Sequence, residues 1–344
     1  GVVVVDEIEL HLHSTLQREV LPKLIALFPK VQFIITTHSP LFLLGMEEQF
    51  GTEGFEIYEM PQGLKINAER FSEFQKAYTY LTNTQQYEQA IYDAVSNKQD
   101  KMLIVTEGTT DWKHMKAAYN KLSHMPEYAE LFTGFEFEFL EYEPNNSSQS
   151  TKVKLEMGNG QLVSLCENMA KIMQKRKMVF IADRDHNDTN KKLGGKDGKQ
   201  FKKWGNNVYS FILPIPDFRT ATPGICIEHL YSDEVIKTEI ETQNPNVKRR
   251  LYMGNEFDRR GYAPSLGVIC EKKAVCGPEK INIIEGSTGE RVTLLDDENI
   301  NMALSKMTFA NLMLEGKTPF DEVDFKPFVP IFDILKKIYL DSDI

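Results

Sequence analysis

The chain has 344 residues, of which 26% are charged and 41% hydrophobic, and a formal net charge of −10. That length suits about two domains, the composition is globular, and no apolar run is long enough to cross a bilayer. Four cysteines exclude a secreted disulfide framework, and Cys270 and Cys276 lack a second Cys or His pair, so they read as buried free thiols of a soluble intracellular enzyme.

The chain opens on GVVVVDE, an apolar strand ending in Asp6 and Glu7. An amphipathic helix follows through LQREVLPKLIALF, and FIITTHSP is a second strand ending at His38. FEIYEM and GLKIN form a short strand pair, and residues 68–100 carry a helical pattern that predicts a bridge between domains. At residue 101 the strand MLIV runs into Glu107; Gly108 permits a tight turn, and Thr110 and Asp111 open a helix through WKHMKAAYNKL. FEFEFLEYEP alternates as a strand, NNSSQST is a polar turn, and GQLVSLCENMAKIM is the helix before the strand MVFIA. That second apolar run ends in Asp183 and Asp185, which would face one side of the sheet if the strand persists, with Arg184 facing the other. The order strand, helix, strand predicts an α/β fold with a mostly parallel, doubly wound sheet. Residues 244–300 read as a small β-rich insertion, and the chain ends in helices through MALSKMTFANLML and VPIFDILKKIYL.

Five acids, Glu107, Asp111, Asp183, Asp185 and Glu228 of GICIEHLY, are expected at strand ends. Any one of them alone reads as a helix cap or a solvated charge. Together, at the mouth of a sheet, they are the oxygen-rich set that hard divalent cations need, and they predict a site for two Mg²⁺ or Mn²⁺ ions acting on a phosphodiester. Basic residues cluster at KIMQKRK, at KKLGGKDGKQFKKW and near 248–250; Lys202, Lys203, Arg249 and Arg250 are the candidate phosphate grips. The glycines at 194, 195 and 198 suggest a mobile loop able to close over DNA, with Trp204 offered for stacking. His186, beside Asp185, is weighed as a site residue against a structural histidine, the reading the sequence favours.

EGTTD after one strand and DRD after a second resemble a TOPRIM domain. VVVVDEIELHLH followed by FIITTHSP resembles the second half of an ABC-type ATPase. That pairing is similar to the overcoming-lysogenisation-defect (OLD) family of endonucleases, which includes the Gabija nuclease subunit. The resemblance implies the C-terminal part of an ATPase domain at 1–67, a helical linker at 68–100 and a TOPRIM nuclease domain at 101–344 with its insertion at about 244–300. It implies metal ligation by Glu107, Asp111, Asp183, Asp185 and Glu228, with Glu107 also catalytic, and transition-state stabilisation by Lys306. In the ATPase part it implies Asp6 for Mg²⁺, Glu7 for the attacking water and His38 as γ-phosphate sensor. No GxxxxGK[ST] occurs in the sequence, so the phosphate-binding loop is expected in a preceding part of a longer protein, with ATP the cofactor of that full-length protein.

The function so implied is metal-dependent DNA endonuclease activity regulated by the ATPase, in anti-phage defence and in a prokaryotic cytoplasm. The expected partners are DNA, further copies in a dimer or tetramer, and a helicase-like or reverse-transcriptase-linked protein, with no membrane. The competing reading is a repair-type DNA-binding ATPase with a non-cutting TOPRIM-like domain. A topoisomerase or primase is disfavoured, since the cysteines for a primase zinc ribbon are absent.

Overall fold

The structure is a computed structural model that describes residues 1–13, 16–51, 54–61, 63–66, 101–143, 153–154, 157–242, 247–287 and 290–341. The expected helical bridge at 68–100 and the NNSSQST turn lie outside the described residues. The chain divides into two compact units, Gly1–Glu88 and Gln89–Ile344. Among the described residues no helix is long and apolar enough to cross a membrane.

In the first unit, strand β1 (Val2–Val5) pairs in parallel with β2 (Gln32–Ile35), and helix α1 (Leu21–Ala26) lies between them in sequence. Helix α2 (Pro40–Phe50) starts where Pro40 pre-sets the backbone and the Ser39 hydroxyl accepts the Phe42 N–H at 3.2 Å. The expected hairpin is present as β3 (Ile57–Glu59) antiparallel to β4 (Leu64–Ile66). Parallel strands are usually covered on both faces. Here Val2 and Val4 are 60% and 71% exposed.

The second unit is built on a five-stranded sheet of β5 (Met102–Thr106), β6 (Phe137–Phe139), β7 (Met178–Ala182), β8 (Lys202–Gly205) and β9 (Val208–Ile212), in the order β8-β9-β7-β5-β6. All pairs are parallel except β8 with β9. Strands β5 and β7 are buried at every position, which is why both read as unbroken apolar runs. Helix α3 (Asp111–Leu122) follows β5, α4 (Asn159–Met169) precedes β7 and α5 (Asn187–Leu193) follows it. From β5 the chain passes to β6 at the sheet edge and then returns to β7 on the other side of β5. The segments leaving β5 and β7 therefore diverge, and in open α/β sheets such a switch point opens a crevice at the carboxyl ends of the strands.

The insertion carries its own antiparallel sheet of β10 (Tyr262–Ala263), β11 (Val268–Cys270), β12 (Val292–Leu294) and β13 (Asp297–Asn301), over a small core that includes Phe257, Val268, Cys270, Cys276 and Val292. Helix α6 (Lys306–Glu315) then returns to α3, and α7 (Val329–Leu340) closes the main core. Phe332 of α7 meets Phe132 with ring centroids 5.3 Å apart, and Tyr119 of α3 meets Phe137 at 4.8 Å, both edge-on. The apolar faces of these terminal helices are thus spent on packing within the unit.

Candidate functional site

Glu107 leaves β5 and Asp183 leaves β7, on adjacent parallel strands in which Thr106 is level with Ile181. The Asp183 N–H donates to Glu107 Oε2 at 3.3 Å, so the two acids meet across the crevice. Asp111, at the first turn of α3, accepts the Gly108 N–H through Oδ2 at 2.6 Å. A Cβ on residue 108 would stand 2.8 Å from Asp111 Oδ1, so any larger residue there would displace the Asp111 carboxylate. The Arg184 backbone N–H donates to Ile225 O and its side-chain Nε–H to Leu213 O, at 2.8 and 2.9 Å. The first bond ties the end of β7 to the segment that carries Glu228, and the second ties it to the end of β9.

Two expectations are corrected. Glu228 is not at a strand end but buried in a short helical turn, Ile227–Leu230. Asp185 does not extend β7, which ends at Ala182; it is exposed and lines a cleft of about 280 Å³ with Cys226, His229, Glu285 and Lys306. It still lies close enough to Glu107 to help raise its pKa.

The electrostatics show acids crowded beyond what the protein neutralises. Burial, then the charges of Asp111 and Asp185, push Glu107 up to about 7. Burial and Glu228 push Asp111 up to about 6, and burial with Asp111, Glu107 and Glu228 holds Asp183 well above the usual carboxylate range. Glu228 alone goes the other way. Burial opposes its charge, but the Lys306 ammonium, 3.0 Å from Oε2, brings it down to about 2. Lys306 is the first residue of α6, its N–H donating to Glu285 Oε2 at 3.2 Å while Ser305 caps the helix by accepting the Thr308 N–H.

Divalent cations fit this set on two counts: the donors are hard carboxylate oxygens, and Glu228 Oε1 is a buried acceptor with no hydrogen-bond partner. Among the described residues no three of the His, Cys, Asp and Glu side chains close on one point as a finished cage. The acids converge as a strained group, with Lys306 on the innermost of them.

Sequence reasoning missed Cys226, which caps the turn bearing Glu228. Its N–H donates to His229 Nδ1 at 3.0 Å, and His229 Nε2 meets Ile281 O at 2.7 Å, so the imidazole is neutral with its proton on Nε2. His186 caps α5, where Nδ1 accepts the Thr189 N–H at 3.4 Å. Of the proposed phosphate grips, Arg249 is exposed, Lys203 pairs with Asp341 at 3.0 Å, and the Lys202 ammonium sits 3.2 Å above the Trp204 ring. Trp204 also donates to Ser210 Oγ at 2.7 Å, so its ring is committed within the fold. Arg250 is a correction: it is buried, stacks on Tyr252 and pairs with Glu256 at 2.7 Å, so it is a structural ion pair and not a DNA contact. The lysine-rich stretch after Asp185 is largely ordered structure, with Lys191 and Lys192 in α5 and Lys202 and Lys203 in β8.

In the first unit, Asp6 and Glu7 follow β1. Thr36, after β2, donates its hydroxyl to Asp6 and accepts the Glu7 N–H at 2.8 Å. Glu7 has a positive φ of 45°, strained for a non-glycine residue, and its carboxylate stands 3.9 Å from the exposed His38 ring. Glu9, unassigned from the sequence, holds the histidine segment by accepting the His38 N–H at 2.6 Å and the Thr37 hydroxyl at 2.7 Å. Opposed by burial, those bonds lower its pKa.

Residues 1–44 match the family model described as "AAA domain, putative AbiEii toxin, Type IV TA system". The chain is 52% identical over 68 residues to the "Retron Ec83 probable ATPase" of Escherichia coli, covering 20% of this chain and 11% of that protein. It is 54% identical over 43 residues to the "Retron Vc95 probable ATPase" of Vibrio cholerae, covering 12% and 8%, and 50% identical over 46 residues to the "Septu protein PtuA" of Bacillus mycoides, covering 13% and 6%. The matched stretches thus span about a tenth or less of these curated relatives.

Proposed function

We propose that the chain is part of an OLD-type anti-phage protein, an ATPase joined to a TOPRIM nuclease that hydrolyses DNA phosphodiesters. The observation that carries this reading is the convergence of Glu107, Asp111, Asp183 and Glu228, with Lys306, at the carboxyl ends of two adjacent parallel strands. Unneutralised acids at a sheet's switch point are hard to explain as solubility. The ATPase half is supported by the match over residues 1–44 and by relatives whose names place them in retron and Septu systems.

Glu107, Asp111, Asp183 and Glu228 would hold divalent cations, with Asp185 at the rim. When bound, Mg²⁺ or Mn²⁺ supplies charge neutralisation at the scissile phosphate and a lowered pKa for the attacking water. Glu107, which burial and the charges of Asp111 and Asp185 push up to about 7 while no cation is bound, would also be the group to take up a proton at the attack site. Lys306, turned toward the acids from the start of α6, places a fixed positive charge where the pentavalent phosphate develops negative charge. Arg184 and Cys226 fix the backbone of the segments bearing Asp183 and Glu228. In the first unit Asp6, Glu7 and His38 would serve Mg²⁺, the attacking water and the γ-phosphate of ATP, with DNA, further copies of the chain and a defence-system subunit as partners.

The test is nicking of supercoiled plasmid with Mg²⁺ or Mn²⁺. Wild type should nick, and Asp183→Ala should not, because the acid that meets Glu107 across the crevice is gone. Equal nicking by the two, or nicking in EDTA, would sink the proposal. DNA retention without nicking would favour a non-cutting DNA-binding ATPase.

A further inference from the structure

Residues 285–287 follow the insertion strand Ile283–Ile284 and run beside the segment 301–306 that leads into α6. The Gly286 N–H donates to Leu304 O at 3.0 Å, and Gly286 O accepts the Asn301 side-chain N–H at 3.1 Å. The approach is so close that a Cβ on residue 286 would collide with Ala303 O. The backbone of Arg250 holds the same segment, donating to Met302 O at 3.3 Å and accepting the Leu304 N–H at 2.8 Å. Glu285 adds a side-chain grip. Its carboxylate, buried in the wall of the cleft, accepts the Lys306 N–H at 3.2 Å and the Ser287 N–H at 3.0 Å through Oε2, and the Ser287 hydroxyl at 2.7 Å through Oε1.

We propose that Glu285 is a positioning residue for Lys306, fixing the root of the lysine while Glu228 holds its head. Lys306 is the first residue of α6, and from there its Nζ reaches Glu228 Oε2 at 3.0 Å and Cys226 Sγ at 3.6 Å. A lysine stem is long and flexible, so where the ammonium stands depends on where its Cα is set. Helix α6 has its own cap in Ser305, which takes the Thr308 N–H at 3.0 Å. Glu285 takes a different donor, one of the N–H groups that a helix start leaves unpaired, and its negative charge suits that end of the helix dipole. It therefore decides where the helix start sits and not whether the helix forms. Through this one carboxylate the insertion sets the aim of a side chain that belongs to the acid cluster. The positioning stands on these bonds, while its effect on cutting rests on the role proposed above for Lys306.

The experiment uses the whole chain with ¹⁵N-labelled lysine, which reports the Lys306 amide and its ammonium, both assigned by their loss in Lys306→Met. Glu285→Ala should shift both signals, and Glu285→Gln, which keeps an oxygen to accept the amide, should return both towards wild type. An ammonium signal unmoved in Glu285→Ala overturns the proposal. In parallel, plasmid nicking with Mn²⁺ is measured beside Mn²⁺ binding by calorimetry. Glu285→Ala should lower the nicking kcat by about 10- to 100-fold, the scale expected for a charge displaced by about 1 Å, while Mn²⁺ affinity stays within about threefold of wild type. Glu285→Gln should recover most of the rate. Mn²⁺ affinity that falls as far as the rate does would show a general loss of the acid site and overturn the proposal. If Glu285→Ala does not fold, Ser287→Ala, which removes only the hydroxyl that aims the carboxylate, must shift the same two signals. A wild-type chain that never nicks, but whose variants show the expected lysine shifts, refutes the nuclease reading and leaves this one standing. A chain that nicks, and nicks as fast with Glu285→Ala, refutes only this one.

Discussion

Replacing Glu107 with Gln should stabilise the metal-free protein while abolishing the proposed cleavage. The carboxyl ordinarily titrates near 4.5 and in the fold near 7, because burial and the charges of Asp111 and Asp185 oppose its ionisation. The folded state therefore binds this proton more tightly than the unfolded chain does. Below about pH 4.5 both states are protonated and the group has no effect; stability falls as pH rises from there and the full cost is reached above about pH 7. At about 1.4 kcal/mol per pH unit, the gap corresponds to about 3 kcal/mol. Glutamine keeps the shape and an oxygen able to accept the Asp183 N–H, but carries no charge. In urea unfolding of the 89–344 unit with EDTA, the variant should exceed wild type by about 3 kcal/mol at pH 8 and by less than about 1 kcal/mol at pH 5. Added Mn²⁺ should stabilise wild type and narrow the difference at pH 8, since only a ligand of the folded state can offset the repulsion. A gain of equal size at both pH values, or a loss at pH 8, would refute the reasoning.

Lys306→Ala should lower the cutting rate by about 100-fold or more. It also strands Glu228, so it should cost about 3–5 kcal/mol in unfolding experiments, most of it recovered in Lys306→Met/Glu228→Gln; an unchanged unfolding midpoint for Lys306→Ala would contradict the ion pair. Gly108→Ala drives a Cβ against Asp111, so it should destabilise by about 1–3 kcal/mol and weaken Mn²⁺ binding, whereas wild-type affinity would show that Asp111 can shift at no cost. Arg250→Ala should cost about 1–3 kcal/mol by leaving half-buried Glu256 with only the Met253 N–H to hold it, while exposed Arg249→Ala should stay within about 0.5 kcal/mol.

The two acid-ended strands were legible because fully buried parallel strands read as unbroken apolar runs, and an acid directly after such a run is hard to mistake. The helix opened by Asp111 was legible for a local reason too, a glycine and a threonine at the turn before it. What failed was long-range. Nothing near Glu228 says that Lys306, 78 residues later, will neutralise it, or that Cys226 and His229 will fold its segment into a turn. Arg250 looked like a surface cation because its partner Glu256 and its ring Tyr252 meet it only through the insertion's packing. Asp185 was misjudged by extending the period of a strand that ends at Ala182.

The insertion brings a hydrophobic core of its own and, beyond it, reaches the cleft beside Lys306 with Val275, Asn282, Ile283, Glu285 and Glu290. That core is distinct from the one around the sheet that places Glu107 and Asp183, which the insertion joins through Leu251, Met253 and Ile283. This makes it a natural cassette for engineering: exchanging residues on that wall would reshape the cleft while Glu107 and Asp183 stay in register, because that register is set by β5 and β7.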